Sequence, residues 1–163
     1  MKRNLLLILL LFSTQVFSQT VVIKTKAYTS YFDTVYKQPI AVVYKLYNGG
    51  GPCSRSKFRF KNDTKYTTAT DMDYLKSGYD KGHLANAEDF AYDCELDEST
   101  FRYYNALPQT ATLNRGIWKQ IEGDVREMSK KDTVTVVCYA KNFKKIDKLY
   151  VPEFCYKIVY RKG

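Results

Sequence analysis

The chain has 163 residues, of which 45% are hydrophobic, 15% aromatic and 26% charged. These proportions are typical of one ordinary globular domain and exclude a disordered or a fibrous protein. Basic residues outnumber acidic residues by 26 to 17, and the net charge of +9 favours polyanionic partners, although it carries no information about the fold.

The first 18 residues have the pattern of a secretory signal peptide. Lys2 and Arg3 give a positive start, an apolar run follows over residues 5–12, and residues 16–18 are of types tolerated at a signal-peptidase site. The apolar run is shorter than the roughly 20 residues that cross a bilayer. We therefore predict an exported protein, periplasmic or extracellular, whose residues 19–163 form one domain without membrane contact after cleavage.

Two strands are predicted near the start of this domain. Residues 20–31 and 39–47 are rich in β-branched and aromatic side chains that partly alternate with polar ones. The polar stretch 53–78 contains short strand-like material around residues 58–60 and little else that is periodic.

The clearest predicted helix covers residues 112–131. Its apolar side chains recur at spacings of four, four, four and three residues, which is the period of one buried helix face. The apolar positions are Leu113, Ile117, Ile121, Val125 and Met128.

Three polar residues, Asn114, Glu122 and Arg126, lie along one edge of this helix, on the flank of the apolar stripe. Side chains at such an edge can face a cleft. The same edge is typical of a solvated helix, in which Glu122 and Arg126 would form an i,i+4 pair worth a few tenths of a kcal/mol. Taken alone, the pattern favours the solvated helix.

The chain closes with two further predicted strands, residues 133–140 and 150–160, joined by a lysine-rich turn. The order of strands, irregular segment, helix and strands indicates an α+β fold. We expect a mainly antiparallel sheet with the helix packed on it.

All four cysteines lie beyond the predicted signal peptide, where an oxidising compartment would permit two disulfides in three possible pairings. None has the C-x-x-C spacing of a structural zinc site, and one histidine is too few for most mixed zinc sites. Because Cys138 and Cys155 lie in successive predicted strands, we favour the pairs Cys138–Cys155 and Cys53–Cys94.

The only histidine, His83, stands in the segment YDKGHLANAEDF, residues 79–90. A lone histidine is more often structural or exposed than catalytic. Three neighbours favour a chemical role, since Gly82 allows unusual backbone conformations, Asp80 can orient an imidazole or its turn, and Lys81 adds a cation. An imidazole with a pKa near neutrality can take a proton from water.

Four blocks between residues 80 and 126 follow one another at fixed intervals. They are Asp80-Lys81-Gly82-His83, Asn105-Ala106-Leu107-Pro108-Gln109, Leu113-Asn114-Arg115-Gly116-Ile117-Trp118 and Ile121-Glu122-Gly123-Asp124-Val125-Arg126. In residue types, order and spacing they resemble the D-R-G-H, N-x-x-P-Q, L-N-x-G-x-W and L-E-x-x-V-R signature of the DNA/RNA non-specific endonucleases of the ββα-metal (His-Me finger) class. The segment VPEFCYK, residues 151–157, is similar to that family's later V-P-x-x-F-x-K.

The resemblance implies a single nuclease domain and a role for each matching residue. His83 would be the general base that deprotonates a water for in-line attack on phosphorus, and Asn105 would help to shape the site. Asn114 would bind a divalent cation through its amide oxygen, Mg²⁺ first and Mn²⁺ or another ion as the alternative. Arg126 would stabilise charge on the phosphate.

The role of Glu122 follows from helix geometry. In a straight helix, the eight residues from Asn114 to Glu122 span ~12 Å, too far for both side chains to bind one ion directly. We therefore expect Glu122 to act through a metal-bound water. Such a site suits Mg²⁺, which keeps several waters and needs few protein ligands.

Two positions depart from the family pattern. Lys81 stands where the family has arginine, and an ammonium group cannot grip a phosphate with the two-pronged geometry of a guanidinium. Asn86 stands where proline is usual, and we interpret it as a plain loop residue. We keep Asp80 and Lys81 among the candidate catalytic residues.

The main hypothesis is an exported, metal-dependent endonuclease that cleaves DNA and/or RNA without sequence preference. The alternative is a catalytically weak or inactive nucleic-acid-binding module on the same fold, with Lys81 as the mark of lost turnover. The retention of His83, Asn114, Glu122 and Arg126 favours the enzyme.

Overall fold

Seven strands and three α-helices form the part of the chain that the computed structural model describes, residues 19–161. The predicted signal peptide, residues 1–18, lies outside the described residues. In chain order the elements are β1 (Thr20–Lys24), β2 (Thr29–Asp33), β3 (Gln38–Leu46), α1 (Asp71–Tyr74), β4 (Tyr79–His83), α2 (Cys94–Ser99), β5 (Ala106–Thr110), α3 (Lys119–Ser129), β6 (Val134–Ile146) and β7 (Leu149–Arg161).

Five of the strands form one antiparallel sheet in the order β1-β2-β3-β6-β7, and β4 pairs with β5 in a separate two-stranded sheet. The predicted α+β fold with a mainly antiparallel sheet is therefore confirmed. The predicted strand over residues 20–31 is divided by a turn, because the Thr25 hydroxyl accepts hydrogen bonds from the backbone N–H groups of Ala27 and Tyr28. No helix within residues 19–161 has the length and apolar character needed to cross a membrane.

Alternation of side chains in β6 explains how the two layers join. Val134, Val136, Cys138 and Ala140 are buried, whereas the residues between them are only partly so. The buried face packs into one core with side chains from β5, from α3, from the residue before α3 and from the segment after β4. Members of that core from the second layer include Leu84, Leu107, Trp118 and Val125.

The predicted helix over residues 112–131 is present but is not straight. A wider π-type turn covers Leu113–Trp118, and Gly116 within it has a non-helical backbone (φ −100°, ψ −113°) before α3 begins. This kink rotates the second half of the helix, so that two residues of the predicted apolar stripe, Ile117 and Met128, are exposed. The buried positions are Trp118, Glu122, Val125 and Ser129.

Residues 58–60 do not form a strand, so the prediction of strand-like structure there is wrong. Their aromatic rings pack instead against the second layer. Phe58 and Phe60 both lie 5.5 Å from Phe101, measured between ring centroids. The aromatic content that suggested a strand therefore serves packing.

One of the two favoured disulfides is present. Cys53 and Cys94 are bonded, with their Cα atoms 5.4 Å apart, whereas Cys138 and Cys155 are free. The pairing of Cys138 with Cys155 is wrong because the strand register places Lys157 opposite Cys138 and Ala140 opposite Cys155. Diagonal neighbours in a sheet are ~7–8 Å apart, beyond the usual span of a disulfide.

Candidate active site

The strand pair β4–β5 brings the first two sequence blocks together. His83, the last residue of β4, lies opposite Ala106, and Asp80 lies opposite Gln109. The indole N–H of Trp118 donates to the His83 carbonyl oxygen at 3.1 Å, which fastens the end of β4 to the kinked helix. Residues distant in sequence are thereby fixed around one histidine.

Gly82 serves this strand pair through its small size. It is not among the glycines with positive φ, so the expectation that it allows an unusual backbone is wrong. A Cβ atom at this position would overlap the buried side-chain amide of Gln109 and lie 2.8 Å from its Cγ. The close approach of Gln109 therefore requires glycine.

Replacing Gly82 with alanine is expected to lower the free energy of unfolding by roughly 1–3 kcal/mol, because the added methyl group must displace a buried side chain. Urea unfolding measures the change. Gly123→Ala is the matched control, since a Cβ there meets nothing within 4 Å in a helix that favours alanine. Equal stabilities of the two variants would contradict the steric role of Gly82.

A cleft of about 550 Å³ lies at the junction of β4, the π-type turn and α3. Five of the expected site residues line it: His83, Lys81, Asn114, Glu122 and Arg126. The prediction that a polar helix edge faces a cleft therefore describes the structure better than the solvated helix does. Asp80 and Asn105 are not part of this lining, but they form hydrogen bonds that hold its segments in place.

Positive charge dominates the cleft wall. Among the described residues that line it, Glu88 and Glu122 are the two carboxylates, against five cations. Arg55 and Lys119 form no ion pair within residues 19–161, so their charge is available to a ligand. The five cations are Arg55, Lys81, Arg115, Lys119 and Arg126. The wall therefore suits a ligand with several negative charges.

His83 is held in an aromatic pocket. Its ring centroid lies 4.8 Å from that of Phe60 and 4.7 Å from that of Phe101. Its Nε2 atom is buried and has no hydrogen-bond partner among the described residues. Burial, followed by the charges of Arg55, Lys157 and Lys81, lowers the pKa of His83 from 6.5 to about 3. The imidazole is therefore neutral at physiological pH.

Asp80 holds Asn114 and Arg115 rather than the imidazole. Its carboxylate accepts a hydrogen bond from the side-chain amide nitrogen of Asn114 at 3.0 Å and two from Arg115, at 2.8 and 2.6 Å. The Arg115 guanidinium is the first cause of a lowered pKa of Asp80, so the carboxylate stays charged. Asn114 is thereby held in one orientation.

Asn105 is buried and holds the loop after His83. Its amide oxygen accepts from the Ala85 N–H at 2.8 Å, while its amide nitrogen donates to the carbonyl oxygens of Ala85 and Thr100, each at 2.9 Å. It shapes the site without lining the cleft. Lys81 pairs with Asp71 and lies 5.1 Å from the Phe60 ring centroid.

Glu122 and Arg126 do not form the i,i+4 pair of a solvated helix. Arg126 donates to the fully buried Asp89 at 2.9 Å, and Glu122 lies 3.8 Å from the Lys157 ammonium group. Burial raises the pKa of Glu122 from 4.5 to about 7, while Lys157 opposes that rise. The Asn86 side chain also opposes that rise and lines the same cleft, so Asn86 is more than a plain loop residue.

Three residues of the site lay outside the sequence prediction or were undervalued by it. Arg55 reaches the cleft from a short 3-10 turn, Asp89 anchors Arg126, and Lys157 contacts Glu122 from β7. The signal for Lys157 was available, since it ends the VPEFCYK segment that resembles the family. Arg55 stands in a polar stretch without periodicity, and nothing local marked it.

The donor atoms present suit a hard divalent cation. Within residues 19–161, no three His, Cys, Asp or Glu side chains gather as a ligand set. Mg²⁺ does not need such a set, because it keeps several waters and takes one or two protein ligands. The amide nitrogen of Asn114 binds Asp80, which leaves the amide oxygen to a cation, and Glu122 lines the same cleft.

A two-stranded β-sheet followed by a kinked helix, with a histidine, an amide and a carboxylate around one cleft, is consistent with the ββα-metal class. The chain belongs to the DNA/RNA non-specific endonuclease family, whose model matches residues 9–163.

Named relatives agree with this membership. The chain is 31% identical to mitochondrial endonuclease G of Bos taurus over 122 residues, which are 71% of this chain and 41% of that protein. It is 36% identical to mitochondrial nuclease EXOG of Xenopus laevis over 84 residues, 50% of this chain and 24% of that protein. The chain thus spans less than half the length of these curated relatives.

A solved structure of the EndoG/EndoGI complex has the same fold. It superposes with a TM-score of 0.76 at 26% sequence identity, over 85% of this chain and 66% of that chain.

Proposed function

We propose that the protein is an exported endonuclease that hydrolyses phosphodiester bonds in DNA and/or RNA without sequence preference and depends on a divalent cation, Mg²⁺ first. One observation carries the proposal: a neutral His83 and an oriented Asn114 line one cleft whose wall is predominantly cationic. Contacts to phosphate groups carry no sequence information, which fits a nuclease that tolerates many sequences.

His83 is the general base in this proposal. It accepts a proton from water, whose oxygen forms a bond to phosphorus as the bond from phosphorus to the 3′ oxygen breaks, leaving a 5′-phosphate end. A neutral imidazole can accept this proton. A bound phosphate also counters the cations that depress the pKa of His83, and it thereby makes the imidazole a stronger base.

Asn114 directly, and Glu122 through water, would hold the cation. When bound, it supplies positive charge to the phosphate and to the leaving oxygen. Arg126, fixed by Asp89, presents its guanidinium to the same cleft and stabilises negative charge on the phosphate. Asp80 keeps Asn114 in place, and Asn105 keeps the loop after His83 in place.

Incubation of the purified protein with plasmid DNA and with structured RNA, in Mg²⁺ or in EDTA, tests the function. In Mg²⁺ we expect both the circular plasmid and the linear RNA to be cut into fragments. In EDTA we expect both to stay intact. Binding without cleavage in Mg²⁺ or Mn²⁺ would contradict the enzyme and favour the binding module, for which Lys81 in place of arginine is the argument.

Export is proposed from the pattern of residues 1–18. The Cys53–Cys94 disulfide supports it, since such bonds persist in oxidising compartments. Fractionation of cells that produce the full chain would place the protein in the periplasm or the medium, and retention in the cytoplasm would contradict the proposal.

A further inference from the structure

A buried lysine lies beneath the cleft. Lys157 points inward from β7, and its side chain is only 1% exposed. Its ammonium group lies 3.8 Å from a carboxylate oxygen of Glu122, 3.3 Å from the carbonyl oxygen of Leu84 and 4.7 Å from the Trp118 ring centroid. A lysine is almost never buried unless it is paired, so these contacts need an explanation.

The charges under the cleft balance only if Lys157 is counted. Two carboxylates, Asp89 and Glu122, are buried there. Arg126 donates to Asp89 at 2.9 Å, and the Tyr44 hydroxyl donates to its other oxygen at 2.7 Å. Lys157 is the cation within ion-pair distance of Glu122 among the described residues. Removing one partner of a buried pair leaves a charge that is costly to keep.

We infer that Lys157 is a positioning residue, which holds the Glu122 carboxylate in place at the floor of the cleft. Its effect on cleavage rests on the proposed function, whereas its pairing with Glu122 does not. The Trp118 ring, 4.7 Å from the ammonium group, and the Leu84 carbonyl restrict where that group can lie. The ammonium group of Lys157, in strand β7, thereby fixes the position of the Glu122 carboxylate.

A purely structural lysine would give a different result from a lysine that acts through Glu122. Leu84 follows His83 in the chain, and the Trp118 indole donates to the His83 carbonyl oxygen. Loss of Lys157 could therefore disturb His83 by packing alone. A double-mutant cycle separates the two cases, because only a pair in contact gives effects that are not additive.

The cycle comprises Lys157→Met, Glu122→Gln and the double variant, each compared with the intact chain by urea unfolding in EDTA at pH 8. We expect Lys157→Met to lower the midpoint of unfolding clearly. In the Glu122→Gln background the same change should cost far less, since no buried carboxylate is left unpaired. Lys24→Met, at an exposed lysine of β1, is the control and should leave the midpoint unchanged.

The second readout is cleavage as a function of Mg²⁺ concentration. Lys157→Met should raise the half-activating concentration of Mg²⁺ by about tenfold or more, as expected for an outer partner of a metal site. In the Glu122→Gln background, Lys157→Met should raise the half-activating concentration of Mg²⁺ only a little further. Lys24→Met should keep the wild-type Mg²⁺ dependence.

Equal losses of stability in the wild-type and Glu122→Gln backgrounds would overturn the inference. If Lys157→Met is insoluble, the double variant must be more soluble than the single one, and an equally insoluble double variant would overturn it as well. If the intact chain cleaves nothing, the proposed function fails. The stability cycle still decides whether Lys157 and Glu122 act as a pair.

Discussion

Replacing His83 with alanine is expected to reduce cleavage of plasmid DNA by about 10²–10⁴-fold, the usual contribution of a general base. Among the described residues that line the cleft, His83 is the one whose side chain is both neutral at physiological pH and able to accept a proton from water. Initial rates in saturating Mg²⁺, at several DNA concentrations, give kcat and KM separately. We expect the loss of activity to appear in kcat rather than in KM.

The histidine also packs between Phe60 and Phe101, so this variant needs a structural control. Circular dichroism and urea unfolding should show a folded protein of somewhat lower stability. Electrophoretic mobility shifts should show that DNA still binds, because the cationic wall is unchanged. A folded His83→Ala variant that cleaves at the wild-type rate would eliminate His83 as the base.

Replacing Asn114 with alanine is expected to raise the Mg²⁺ concentration needed for cleavage by at least the ~10–100-fold that loss of an outer partner costs at metal sites. The change removes the amide oxygen offered to the cation, while the Asp80–Arg115 ion pair can remain. Titration of cleavage with Mg²⁺, and with Mn²⁺ in parallel, measures the shift.

Asn62→Ala is the matched control for this experiment, since Asn62 is exposed and lies outside the cleft. It should reproduce the wild-type titration. If Asn114→Ala and Asn62→Ala gave the same Mg²⁺ dependence, Asn114 would have to be reassigned as a structural residue. A rate loss without any shift in the titration would likewise argue against direct metal binding.

Strands β3, β6 and β7 of the large sheet could be predicted from the sequence because they are long and rich in β-branched and aromatic side chains. Between Val134 and Ala140, strand β6 buries every second side chain, and the sequence shows this alternation without the structure. Strands β4 and β5 were not predicted from patterning, since each has only five residues and carries polar groups such as Asp80 and Gln109. Only the family blocks pointed to them.

The helix shows where periodicity misleads. A count at 100° per residue assumes a straight axis, and Gly116 breaks that assumption. The stripe then placed Ile117 inside and Glu122 at an edge, whereas the structure exposes Ile117 and buries Glu122. The estimate of ~12 Å between Asn114 and Glu122 assumed the same straight helix. The water-mediated role proposed for Glu122 therefore rests on the tendency of Mg²⁺ to keep several of its waters.

The candidate site was predicted best where its residues stand in ordered blocks. His83, Asn114, Glu122 and Arg126 do line one cleft. The partners that hold them come from elsewhere in the chain, and only the fold could reveal them. Asp89 contacts Arg126 from 37 positions away, and Lys157 belongs to the last strand.

The disulfide has a practical consequence for anyone who prepares this protein. Cys53 is bonded to Cys94 and stands two residues before Arg55, which brings its charge to the cleft. A disulfide so close to Arg55 restricts how far the Arg55 guanidinium can move away from the cleft. We therefore expect reductant in a purification buffer to give Arg55 more freedom to leave the cleft wall, so rates of variants should be compared only between samples of the same oxidation state.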